Sequence, residues 1–131
     1  MEIDPQLLLQ AAAEAAKNAH APYSNYQVGS AVLAEDGSIF PGCNVENASY
    51  GLTNCAERTA IFSAVAKGQR TFKAVAIVAS GNTIPYPCGA CRQVLSEFCE
   101  PATPVYVASI SNPATFDQIT LGELLPKSFR F

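Results

Sequence analysis

Cys55-Ala56-Glu57 precedes Pro87-Cys88-Gly89-Ala90-Cys91 by some thirty residues, and this pairing constrains the fold more than anything else in the chain. Three thiols that share one tetrahedral ion must lie within about 4 Å of one another, because Zn–S bonds are about 2.3 Å long. Any fold that uses them together must therefore bring the segment around 55 against the segment around 88–91. The C-x-x-C spacing suits a single Zn²⁺. Three protein ligands leave the fourth position open to water, and an open position separates a catalytic zinc from a structural one. Glu57 adds a carboxylate two residues from the first ligand.

Charge sets the next requirement. Zn²⁺ with three thiolates carries one net negative charge, and a bound hydroxide makes it two, so the site acidifies water less readily than one built on neutral histidines. Cys55 and the Cys88/Cys91 pair each fall where the sequence predicts a helix to begin. A helix N-terminus carries roughly half a positive charge and has free N–H groups that can bond to sulfur. Arg58 and Arg92, beside the ligands in sequence, are candidates to donate to sulfur as well. At the first turn of its helix, Glu57 can reach back over the metal and accept a proton from water. The competing reading is a closed structural zinc knot. It needs a fourth ligand from Cys43 or Cys99, because the sole histidine, His20, lies far away in sequence.

At 131 residues the chain is expected to form one domain spanning 1–131 with one well-covered core. Hydrophobic residues make up 49% and charged residues 15%, a globular composition. The net charge is −3 and the eight cations are scattered, which disfavours nucleic acid as a partner. No apolar run approaches a membrane span, and Glu2 and Asp4 stand where a signal peptide carries basic residues. The expected location is the cytosol. There the five cysteines serve as ligands or buried thiols rather than disulfides, with Cys43 and Cys99 as small buried hydrophobes.

Asp4-Pro5 predicts an N-cap and first-turn proline for a helix running to about His20. Val28–Leu33 and Ile39–Val45 read as strands joined by a tight turn at Asp36-Gly37. A helix follows from Cys55 to Gly68. Next come a strand at Lys73–Ala79 apolar enough to be buried on both faces, a short helix after Pro87, a strand at Pro104–Ile110 and a terminal helix before Pro126. The expected fold is α/β: a three-layer α/β/α arrangement around a mixed central sheet of about five strands.

The C-A-E … P-C-x-x-C pattern resembles the zinc-dependent cytidine deaminase superfamily. The likeness extends to Ala21-Pro22-Tyr23-Ser24, Tyr26-Gln27-Val28-Gly29, Gly42-Cys43-Asn44-Val45-Glu46-Asn47-Ala48, Arg58-Thr59-Ala60, Arg92-Gln93 and Leu124-Leu125-Pro126. Together these resemble the small homotetrameric cytidine deaminases in order along nearly the whole chain. The resemblance implies Zn²⁺, one per subunit, on Cys55, Cys88 and Cys91. It implies that Glu57 shuttles the protons while activated water attacks C4 of a pyrimidine nucleoside, giving uridine or 2′-deoxyuridine and ammonia in pyrimidine salvage. It also implies that Asn44 and Glu46 bind the ribose hydroxyls, that the Ala56 backbone and Tyr26 lie at the base, and that Phe129 stacks on the pyrimidine in a neighbouring subunit's site.

Bland alternatives accompany these roles: Asn44 and Glu46 as turn caps, Tyr26 as a core aromatic where the family commonly has Phe, and Phe129 as a frayed terminus. Tyr50 is a candidate for a subunit boundary. Arg58 is the cation assigned to the ligands, and Arg92 reads as a surface or interface cation. Rival functions are a blasticidin S-type nucleoside-antibiotic deaminase, a polynucleotide-editing deaminase, and a non-catalytic zinc-stabilised binding module. The Asn44/Glu46 pair argues against the first, and the short chain without a basic face argues against the second.

Overall fold

Asp4 starts the first helix by accepting from the N–H groups of Gln6 (3.1 Å) and Leu7 (3.3 Å). In the computed structural model, which describes residues 2–131, α1 runs over Pro5–Ala16. It is followed by β1 (Val28–Ala34), β2 (Ile39–Cys43), a 3-10 turn at Tyr50–Leu52, α2 (Ala56–Ala66), β3 (Phe72–Ala79), α3 (Gly89–Phe98), β4 (Pro104–Ser109), β5 (Asp117–Thr120) and α4 (Leu121–Leu124). The strands form one sheet in the order β2-β1-β3-β4-β5. Only β3–β4 is parallel, so the sheet is mixed as expected.

Alternation along β3 explains the layers. Val75 and Ile77 point to the face covered by α2, α3 and α4, where Ile61, Leu95, Leu121 and Leu124 pack. Ala74, Ala76 and Val78 point to the other face, under Leu8, Leu9, Ala12 and Ala16 of α1. Full burial of a large apolar side chain contributes about 2 kcal/mol, and both faces hold several. The α1 face is lined with small residues, so this helix sits close to the sheet. A Cβ on Gly29 of β1 would lie 1.8 Å from the Ala12 carbonyl oxygen. Gly42 of β2 meets α2 in the same way, with a Cβ falling 2.4 Å from the Ala60 nitrogen.

Two element ends and one strand differ most from the sequence reading. Helix α1 stops at Ala16 rather than near His20, because a turn at 17–18 releases His20 to pair with Val45. The His20 N–H donates to the Asn44 carbonyl (3.0 Å) and the Glu46 N–H to the His20 carbonyl (2.8 Å). That pairing in turn ends β2 at Cys43 and carries Val45 off to bridge Asn54. Strand β5, four residues with weak alternation, was not placed by the sequence reading. It pairs through Val107↔Asp117 and Val105↔Ile119 and leads into α4, which is capped reciprocally by Thr120 and Glu123.

Candidate active site

Cys55 is the N-cap residue of α2 and Cys88 that of α3, while Cys91 lies in the first turn of α3. The two helix starts meet at the end of the sheet. All three sulfurs lie within 4.8 Å of one another, and Cys55 Sγ and Cys88 Sγ are 3.7 Å apart. That separation matches the ~3.8 Å edge of a tetrahedron with Zn–S bonds of about 2.3 Å. Among the described residues this is the group able to hold a metal ion. Cys43, Cys99 and His20 are outside it, so the fourth ligand of a closed knot is not supplied by them.

Among themselves the thiols share charge unevenly. Donation from the Cys91 thiol, with help from Arg58 and Cys88, lowers Cys55 to about 5. The bond to Cys55 and burial push Cys91 well above its ordinary value. A cluster that ionises once and resists a second ionisation needs a cation between the sulfurs to become three thiolates, and a thiophilic dication fits that donor set. Arg58 Nη2 donates to Cys55 Sγ at 3.4 Å, and this bond holds the guanidinium protonated more firmly than usual. Arg58 Nε is buried without a partner of its own.

Arg92 does something else. Its Nε donates to the Pro87 carbonyl (2.7 Å) and its Nη1 to the Leu124 carbonyl (2.8 Å). It clamps the loop before Cys88 to α4 and is neither a sulfur donor nor a free surface cation.

Glu57, the second residue of α2, is 4% exposed. Burial, reinforced by the charge of Cys55, raises its carboxyl to about 7. Such a group can hold or release a proton near neutrality. It lines a cavity of about 230 Å³ together with Cys55, Ala56, Cys88, Asn44 and Tyr26. Thr53, Asn54, Val28, Ile77, Pro85 and Tyr86 complete the wall. Tyr86, like Thr53, Asn54, Ile77 and Pro85, is a lining residue that the sequence reading did not single out. Its place immediately before Pro87-Cys88 was the available signal.

The remaining candidates are placed as follows. Asn44 is buried; its Oδ1 accepts from Val28 N–H (3.0 Å) and its Nδ2 donates to the Tyr26 carbonyl (2.8 Å). Each of those atoms has capacity for one further bond. Glu46 faces an adjoining hollow with Tyr23, Ser24, Asn47, Tyr50 and Thr53. Its carboxylate accepts from the N–H groups of Tyr23 (3.0 Å) and Ser24 (3.2 Å) and from the Ser24 hydroxyl, which holds it below the usual range. Tyr26 lies at the cavity mouth, partly exposed, rather than in either core. Phe129 is outside the cavity of its own chain. It is 67% exposed and stacks edge-on with Phe131 at 5.3 Å.

Comparison with known proteins gives a consistent answer. Residues 2–108 match the family model described as the cytidine and deoxycytidylate deaminase zinc-binding region. The chain is 47% identical to a cytidine deaminase of Sporosarcina psychrophila over 97% of its own length and 92% of the relative's. It is 49% identical to one of Halalkalibacterium halodurans over 97% and 95%. A crystal structure of cytidine deaminase from Burkholderia pseudomallei superposes with a TM-score of 0.90 at 46% identity, covering 97% of this chain and all of that one.

Proposed function

Because the chain belongs to the cytidine and deoxycytidylate deaminase family, we propose that it hydrolyses cytidine and 2′-deoxycytidine to uridine and 2′-deoxyuridine plus ammonia. One observation carries the assignment of residues: a buried carboxyl, Glu57, stands beside three converging thiols in a cavity that opens to solvent. Cys55, Cys88 and Cys91 hold one Zn²⁺ per chain. Bound there, zinc supplies the Lewis acidity that makes water a nucleophile at neutral pH.

Glu57 takes the proton of the attacking water and gives it to ring N3 as C4 accepts the oxygen. It then carries the second proton to the exocyclic nitrogen, so that the C4–N bond breaks with ammonia as the leaving group. Its carboxyl, raised to about 7 by burial, suits both directions of transfer. Arg58 offsets the charge of the thiolates through Cys55. The Ala56 backbone and Tyr26 receive the base. Asn44 and Glu46 receive the ribose hydroxyls with the bonding capacity their structural contacts leave over. A second carboxylate near the sugar disfavours a 5′-phosphate, hence nucleosides over nucleotides.

The working unit is a homotetramer in the cytoplasm, each chain a single domain over 1–131. Tyr50 and Leu52, 80% and 66% exposed beside the cavity, support burial by another copy. So does the cavity itself, which is smaller than the roughly 300–1,000 Å³ of most ligand sites. Phe129 of a neighbouring copy would supply the missing wall.

The deciding experiment is a substrate panel of cytidine, deoxycytidine, cytosine, CMP and blasticidin S, followed by absorbance with zinc measured in the same sample. Turnover of the two nucleosides, and little of the rest, is expected. Equal turnover of cytidine and free cytosine would sink the ribose assignment, and preference for blasticidin S would sink the substrate.

A further inference from the structure

Tyr86 has an unusual combination of constraint and exposure. It lies between Pro85 and Pro87, two residues before Cys88. Proline fixes its own φ and restricts the residue before it, so the Tyr86 backbone is limited from both sides. Arg92 holds the Pro87 carbonyl at 2.7 Å. Yet the residue is 47% exposed and belongs to neither apolar core. Its one side-chain anchor is distant in sequence: the phenol donates to Asp117 Oδ2.

Asp117 is placed for this by the sheet. Register aligns Ile77 of β3 with Val107 of β4, and Val107 with Asp117 of β5. Ile77 and Val107 face the side of the sheet that carries α2 and α3, and Ile77 lines the cavity beside the thiols. Asp117 ends this apolar row with a charge. The phenol bond therefore holds Tyr86 on the β5 side of the cavity it lines, opposite the other lining aromatic, Tyr26, which enters from the β1 side.

We propose that Tyr86, tethered by Asp117, is a substrate-positioning residue whose ring forms the β5-side wall against the pyrimidine nucleoside. The inference rests on the nucleoside reading above. A rigid aromatic wall orients a flat ring with little loss of side-chain freedom, and its tether removes the remaining rotation. The ring meets substrate, whereas Asp117 acts only through Tyr86.

The test is made on the zinc-loaded enzyme, with uridine affinity measured by calorimetry beside cytidine kinetics. Tyr86→Phe keeps the ring and loses the tether; Asp117→Ala removes the acceptor. Each is expected to weaken uridine binding and raise KM roughly three- to tenfold, the worth of one hydrogen bond, with kcat moving far less. Asp117→Asn, which retains an accepting oxygen, should recover most of the affinity. The double variant should be no weaker than either single variant. Unchanged uridine affinity in both single variants overturns the proposal. So do additive losses in the double variant, and so does loss of bound zinc in Tyr86→Phe, which would make the contact a prop for Cys88. Wild-type protein that binds uridine without deaminating cytidine would refute the deaminase reading and leave this one standing.

Discussion

At the scale of single residues, position and burial divide the labour. Cys55 and Glu57 are two residues apart on one helical turn, yet the first presents sulfur to its partners while the second is a buried carboxyl, placed for the proposed proton transfer. Glu57→Gln should retain a full complement of zinc and lose activity by about 10²–10⁴-fold, read by kinetics and metal analysis on one preparation. Substantial residual turnover would end the proton-shuttle role, and loss of zinc would make Glu57 a ligand. Asn44 has a structural duty, close to the turn-capping alternative weighed from the sequence: it brackets Val28 and Tyr26. Asn44→Ala leaves the Val28 N–H and the Tyr26 carbonyl without their partner and should cost about 1–3 kcal/mol in urea unfolding, in addition to any effect on substrate. Glu46 predicts a pH effect. Its folded value is lowered, chiefly by the Ser24 hydroxyl, so its support of the 23–24 loop is complete above the ordinary glutamate range. That support is lost as pH falls through the lower folded value. Amide exchange at Tyr23 and Ser24 should accelerate there, and Glu46→Gln should abolish the acid-range change.

Among the elements, close approach of backbones governs what is tolerated. Helix α1 is pressed onto β1 across Gly29, where a methyl group would strike the Ala12 carbonyl. Gly29→Ala should lower stability by about 3 kcal/mol or more, because a helix backbone, unlike a side-chain tip, cannot move aside locally. Periodicity and punctuation made α2, β3, α3 and β4 legible before the fold was known. The missed strand β5 is four residues long and gains its identity from pairing with β4, a non-local interaction that no local pattern reports. The end of α1 was misplaced for a related reason. Ala-rich propensity carries on past Ala16, but His20 is claimed by a backbone bridge to Val45.

For the whole molecule, a zinc ion held by Cys55, Cys88 and Cys91 would join the two helix starts, and its removal should be felt globally. Chelation is expected to lower the unfolding temperature and to be reversed by added Zn²⁺, with proton release on rebinding as the thiols ionise. Sedimentation of the native protein should give four copies per particle, and truncation before Phe129 should reduce turnover while sparing zinc. A monomer with full activity would refute the shared-site arrangement. By itself the sequence determined the donor set, the carboxylate beside it and the alternation of helices with apolar strands. Those depend on residue type and short spacing, which chemistry and helical geometry translate directly. Only the tertiary structure decided that Arg92 ties the Cys88 loop to Leu124, that Asn44 brackets β1, and that Asp117 reaches Tyr86. Each of these joins segments far apart in the chain, and the packing and pairing of elements, not local sequence, brings them together.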